Sequence, residues 1–333
     1  MNKSTFRFIT KKMIRMVSLL AALSIFSFLL LMISPVDPIR AHLSTQSASS
    51  LSIEQKEKIA EYWGLDKPPL ERLTKWGGKV LQGDLGTSMI YNRPVSEIIK
   101  TRFFASLGVM SVAWIMSGVL GFTMGIIGAY YKDSLVDKMI KWYCLTLSSS
   151  PVFWIALLIL LVFGSWLGWF PIALSVPVGK EATDVSLSDR LYHMVLPAFT
   201  LSVIGVSNIA LHTRAKFIEV MESDYIVFAQ ANGKSGLKII YQHGLRNVAL
   251  PAITLQFLSF SELFGGSVLV ERIFSYPGLG SVVSDAGTKG DMPLLLGTVL
   301  ASALFVFAGN LIADILYYVI DPRMKEGGLN ESS

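Results

Sequence analysis

Gly233-Lys234-Ser235 has the form of the last residues of a phosphate-binding loop, in which backbone N–H groups cradle phosphate and the lysine reaches it. That motif requires a glycine five positions earlier, and residue 228 is phenylalanine, with no buried strand ahead of it. Nucleotide chemistry on this chain is therefore not expected. Gly205-Val206-Ser207-Asn208 resembles the turn around a serine nucleophile, but it lacks the second glycine and no histidine lies at matching depth. His193 and His212 are nineteen residues apart, about 28 Å along a helix at about 1.5 Å per residue, so they cannot share a metal. The methionines form no ordered cluster, and the single cysteine, Cys144, allows neither an intrachain disulfide nor a cysteine-based metal site. No catalytic, cofactor-binding or metal residues are expected.

One acid stands out instead. Glu262 lies in an apolar stretch beside Ser259, Ser261, Gly265 and Gly266. An ionisable group inside a membrane is costly and faces a cavity or another helix. Two roles fit it: part of a path for a cationic cargo, or a protonated or hydrogen-bonded helix contact. Asn310 and Asp314, nearer the end of the last apolar run, read as structural.

The elements that hold these residues are membrane spans. The chain of 333 residues is 52% hydrophobic and only 16% charged, against about 25% charged in soluble domains. Runs with few or no charges fall at Met16–Val36, Phe104–Tyr131, Trp142 to about Gly164, Leu191–Thr213, Val248–Val270 and Met292–Ile320. Each can cross a hydrocarbon core about 30 Å thick. The uncharged stretch continues past Gly164, but Trp166, Gly168, Trp169, Pro171 and Pro177 are the aromatic and breaker residues of an interface. Six spans are expected, and an all-α integral membrane protein. Lys3, Arg7, Lys11, Lys12 and Arg15 precede the first span, whose apolar run is too long for a cleaved signal, so it reads as a retained anchor.

Lysine and arginine set the orientation. With the N-terminus inside, the inner side carries five of these residues before the first span, three within Lys132–Lys141, five within Arg214–Arg246, and Arg323 with Lys325. The short outer loops carry Lys180, Arg190, Arg272 and Lys289. The organisation expected is a cytoplasmic N-terminus and first span over 1–36, an extracytoplasmic loop over 37–103, a five-helix core over 104–322, and a cytoplasmic tail over 323–333. The net charge of +5 then reflects topology and contact with anionic lipid, and nucleic acid need not be invoked.

Between the fourth and fifth spans lies a polar stretch, Ser223 to Pro251. Asp224 is a plausible N-cap for a short helix that would put Tyr225, Phe228 and Ala229 on one side and Gln230 and Asn232 on another. Gly233 is the residue expected just past its end, and a second, cationic helix would run to Pro251. Small Ala229, Ala231 and Gly233 would let the short helix lie close to another protein's surface. An ordinary amphipathic linker at the membrane interface fits the same residues. In the second span, Gly118, Gly121, Gly125 and Gly128 mark a close helix approach, within the chain or against a second subunit.

The stretch resembles the cytoplasmic signature of ABC importer permeases, in which a coupling helix docks on an ATPase. Ala229, Gly233 and Val248-Ala249-Leu250-Pro251 occupy its places, while Val227 and Phe228 stand where the opening glutamate is usual. Gly64-Leu65-Asp66-Lys67-Pro68, Gly83 to Ser88, Pro94-Val95, Pro151 to Trp154, His243 to Asn247, Glu271 to Phe274, Tyr276 to Gly280 and Asp321-Pro322-Arg323 are similar to the dipeptide, oligopeptide and nickel permease branch, in order along nearly the whole chain. Departures are Pro35-Val36-Asp37-Pro38, where that branch carries Pro-Gly-Asp-Pro, and the uncharged Gln230 and Asn232.

That resemblance implies a type I ABC importer permease with a large first extracytoplasmic loop. It implies a second homologous permease, two cytoplasmic ATPases that hold the ATP and magnesium, and an extracytoplasmic binding protein that delivers peptide, nickel or another metal chelate. Asp224, Tyr225, Ala229, Ala231, Gly233 and Pro251 would then couple to the ATPase, and Ser259, Glu262, Gly265 and Gly266 would line the path. An ATP-independent carrier or channel is the competing expectation. Such carriers show internal repeats and several deep charges, and no repeat is visible here.

Overall fold

Where the chain lacks charge it becomes helix, because backbone groups in hydrocarbon must be satisfied within the segment. The computed structural model describes residues 3–33, 58, 61, 66–172, 186–232 and 239–320. Among them are α1 (Lys3–Ile33), α2 (Pro69–Leu81), α3 (Val95–Tyr130), α4 (Leu135–Ser148), α5 (Val152–Ile159), α6 (Leu187–Met221), α7 (Asp224–Ala231), α8 (Leu245–Leu258), α9 (Phe260–Ile273), α10 (Leu279–Lys289) and α11 (Met292–Ile320). Wider π-type turns extend α5 over Leu160–Trp166 and lead into α8 over Ile240–Gly244. The described residues contain no strand, only an isolated antiparallel bridge between Thr87 and Pro94. Gly64, Leu65, Gly233-Lys234-Ser235, Asp321-Pro322-Arg323 and the tail lie outside the described residues.

Among the described residues, four helices are long and apolar enough to cross a membrane: α1 over Lys12–Ile33, α3, α6, and α11 over Met292–Ile315. The count reaches six when each of two bent pairs is one span. The expected span Trp142–Gly164 is one of these pairs, since α4 and α5 meet at 109°. Pro151 starts α5, having no N–H to continue α4. The Ser150 N–H turns to the Leu147 carbonyl, and the Ser150 hydroxyl donates instead to the Thr146 carbonyl at 2.7 Å. The other pair, α8 and α9, bends by 46° at Ser259. Pro251 does not end a helix as expected, for α8 runs through it to Leu258.

The chain forms two compact units. One comprises Met1–Ser106 with Pro277–Phe307, the other Leu107–Tyr276 with Ala308–Ser333. In the first, Phe28 of α1 and Trp76 of α2 bury against Met292 and Leu296 of α11. A second core joins Val95 and Ile98 of α3, Val282 and Ala286 of α10, and Leu294. After α2 the chain turns through Gly83 (φ +84°) and Gly86 (φ +87°), where a side chain would be strained. The Asp84 carboxylate accepts from the Gly86 N–H at 2.8 Å, and the Trp76 indole donates to the Leu85 carbonyl at 3.3 Å.

In the second unit α6 is the central helix, packed by α4, α5, α8 and α9. The glycines of α3 are what bring it against α6. A Cβ at Gly121 would stand 2.8 Å from the Ile209 Cβ, and one at Gly125 would stand 2.7 Å from the Ala210 carbonyl oxygen. The glycine stripe thus serves packing within the chain.

Candidate functional site

The short helix of the polar stretch grows directly out of α6. Ser223, not Asp224, stands before its first turn: the Ser223 carbonyl accepts from the N–H groups of Ile226 and Val227. Asp224 is the first helical residue, where its negative charge suits the positive end of the helix. Asn232 closes the other end, donating to the Phe228 carbonyl through its backbone N–H (3.1 Å) and its side chain (2.9 Å).

The faces of α7 differ from expectation. Ile226 is fully buried and Ala229 nearly so, whereas Phe228 is 71% exposed and Tyr225 and Val227 are also open. Ala229 therefore serves contact with its own chain, and its small size does not act at an outer surface. Apolar residues lie all round this helix, so periodicity could not choose the inward side. Asn247 of α8 donates to the Tyr225 hydroxyl at 3.2 Å, tying α7 to the start of the following span. Ala231 is exposed, and Pro251 is exposed on α8.

Behind α7 the end of α6 is fixed by charge. Asp137, with no exposure, accepts two bonds from Arg214, at Nε (2.6 Å) and Nη2 (2.7 Å), and one from Lys141 at 3.1 Å. Its carboxylate also accepts from the Asp133 N–H at 3.0 Å, and its own N–H is capped by the Ser134 hydroxyl. Glu222, at the close of α6, pairs with Lys132 at 2.6 Å on the surface, and that hydrogen bond raises the Lys132 ammonium above its ordinary range. No sequence signal marked these pairs, whose members are 77 and 90 positions apart.

The deeper polar residues divide into supports and open groups. Ser259 supports: its hydroxyl donates at 2.9 Å to the Gln256 carbonyl at the bend. The Trp114 indole of α3 donates to the same carbonyl, and the Gln256 side-chain amide donates back to the Trp114 carbonyl and to Ser117. Glu262 and Gly265, by contrast, are exposed, and nothing lies within 4 Å of a Cβ built on Gly265. Gly266 faces Leu201 inside the unit. The Ser261 hydroxyl donates to Asn310 at 2.6 Å, the helix contact expected of Asn310. Beyond α9, Tyr276 is buried beside Glu271, and burial first and then that carboxylate push its phenol up to about 12.

In the first unit one carboxylate organises the Gly83–Ser88 motif. Asp291, buried at the start of α11, accepts from the Ser88 hydroxyl (2.7 Å) and the Ile90 N–H (3.0 Å) on one oxygen and from the Leu294 N–H (3.1 Å) on the other. It caps the first turn of α11 through Leu294 and reaches Ser88, 203 positions back in the chain, and neither contact was anticipated.

Residues 121–326 match the model of the binding-protein-dependent transport system inner membrane component. The chain belongs to that family. It is 34% identical over 321 residues to the oligopeptide transport system permease protein AppB of Bacillus subtilis, covering 96% of this chain and 99% of that one. A putative peptide transport system permease protein of Brucella abortus is 33% identical over 317 residues, 95% of this chain and 98% of the relative. The glutathione transport system permease protein GsiC of Salmonella typhimurium is 31% identical over 318 residues, 96% and 98%. The chain is thus an ABC importer permease, a multi-pass membrane protein and a transport subunit, not an enzyme. Its transport system includes a substrate-binding protein and an ATPase.

Proposed function

We propose that this permease carries short peptides inward, driven by ATP bound with magnesium on two cytoplasmic ATPases, and that α7 is where that work enters. One observation carries the coupling role: Tyr225, Val227 and Phe228 form an exposed apolar face on a helix whose Ile226 and Ala229 are anchored within the chain. A rigid helix with an open apolar face suits docking in a partner's cleft. Asp224, Ala231 and Gly233 complete the docking segment, with Ala229 acting from behind and Pro251 on the helix that follows. This chain itself holds no nucleotide.

Both termini and α7 then face the cytoplasm of the cell's inner membrane, and residues 37–103 face the binding protein outside. Glu262 and Gly265 lie together on the outward side of α9. A carboxylate at that depth is costly against lipid, which supports a second homologous permease there with a water-lined path between the two. Glu262 would meet the amine of a peptide, with Ser259 and Gly266 supporting the bend and packing behind it. Peptide is favoured over nickel or another metal chelate because the relatives described above are oligopeptide, peptide and glutathione transport permeases by name.

The docking role is tested by Phe228→Glu, which places a charge on the exposed face without touching Ile226. The ATPase should no longer co-purify with the permease from detergent, while the variant stays folded in the membrane. Undiminished co-purification would refute docking through this face. Calorimetry on the cognate binding protein separates the cargoes, since heat on adding a peptide without metal supports peptide, and heat only with a nickel complex contradicts it.

A further inference from the structure

We propose that Asp137 and Arg214 form a transmission joint: a buried ion pair that makes the α3–α4 elbow and the end of α6 move as one with α7. This rests on the coupling role of α7 given above. Three observations carry it. Asp137 is fully buried yet charged, and Arg214 grips it with two parallel bonds, the geometry that fixes orientation as well as distance. The pair is built in from every side, because Lys141 and the Asp133 N–H bond the same carboxylate and a Cβ on Gly128 of α3 would lie 3.5 Å from its Oδ1. Asp133 itself holds φ +65°, an uncommon conformation for a side-chain-bearing residue, and it places that N–H.

The location supplies the function. Arg214 lies near the end of α6, and only Glu222 and Ser223 separate that helix from α7. A push on α7 therefore reaches Arg214 along one stiff helix. Asp137 is on α4, whose far end breaks at 109° into α5, so the joint connects α7 to a second span without passing through the bilayer. Buried ion pairs are weak sources of stability, since desolvation offsets most of their attraction. Their directional bonds suit them to hold two elements in one register. The exposed Lys132–Glu222 pair parallels the joint but is screened by water and contributes little.

The test uses the assembled importer in proteoliposomes, with its binding protein and a peptide outside and ATP inside. Solute imported per ATP hydrolysed is read for Asp137→Asn, for the neutral double variant Asp137→Asn with Arg214→Met, and for Phe228→Glu. Asp137→Asn strands Arg214 and is expected to lower the amount of folded complex. The double variant removes both charges and should restore that amount. The joint predicts that import per ATP in the double variant nevertheless stays low, by about tenfold, within the range of coupling between distant sites. Restoration of both amount and import per ATP would overturn the joint and leave the pair a structural contact. Phe228→Glu separates the two claims, because import and ATPase binding unchanged in that variant would overturn coupling through α7 itself, whatever Asp137 does.

Discussion

Trp114 and Gln256 satisfy each other reciprocally: the indole N–H donates to the Gln256 carbonyl at 2.7 Å, and the Gln256 amide donates back to the Trp114 carbonyl. The pair sits at the 46° bend between α8 and α9. A sharp bend within a membrane leaves carbonyls without helical partners, and they must find donors nearby. At this bend Trp114 and Ser259 both donate to the Gln256 carbonyl.

Replacing Trp114 with Phe keeps the ring contacts with Phe257 and Phe260 but removes the N–H. The expected cost is about 1 kcal/mol, typical of one hydrogen bond between membrane helices. Combining it with Gln256→Leu should cost less than the sum of the single changes, measured as unfolding midpoints in detergent. Additive costs would mean that the two residues do not act together.

Packing of α3 on α6 predicts a contrast between glycines. Gly125→Ala puts a methyl group 2.7 Å from the Ala210 carbonyl, which is backbone and cannot turn aside. It should reduce the folded protein recovered from membranes severely. Gly265→Ala meets nothing within 4 Å and should be recovered at wild-type amounts. Equal recovery of the two variants would contradict the α3–α6 packing.

Asp291→Asn replaces an acceptor surrounded by donors with a group that is half donor. Whichever way the amide turns, its NH2 faces the Leu294 N–H or the pair from Ser88 and Ile90. Leaving such buried donors unpaired costs about 1–3 kcal/mol each. Limited proteolysis added outside should then cut within 83–94, whereas Ser88→Ala, which loses one bond, should be cut more slowly. Full protection in Asp291→Asn would show that this carboxylate does not hold the segment.

The spans were legible because their signal is local: long uncharged runs can do little else in lipid. The break at Pro151 was missed, because Trp142 to about Gly164 is uncharged throughout and reads as one uninterrupted run. The bend at Ser259 was not legible, since no proline or glycine causes it and its donor, Trp114, is 142 positions away in the chain. The same distance problem hid Asp137 from Arg214 and Asp291 from Ser88. For α7 the difficulty was composition, because Ile226 and Phe228 are equally apolar and only packing decides that Ile226 goes inside.

Glu262→Gln tests the path. The carboxylate is exposed and no bond from it to another described residue holds the fold, so the amount of complex should not change. Import of a peptide with a free amine should fall about fivefold, the worth of roughly 1 kcal/mol for one charge pair near water. The binding protein's affinity should be unaltered. Unchanged import would remove Glu262 from the path.

That this permease moves its cargo on ATP hydrolysed by a partner is the proposal on which the others rest. It is tested most directly by peptide uptake into proteoliposomes bearing the whole importer, with the membrane potential clamped and ATP present or absent inside. Uptake is expected to require both internal ATP and the external binding protein and to ignore the potential. Uptake without ATP, rising with the applied potential, would contradict it and identify a secondary carrier.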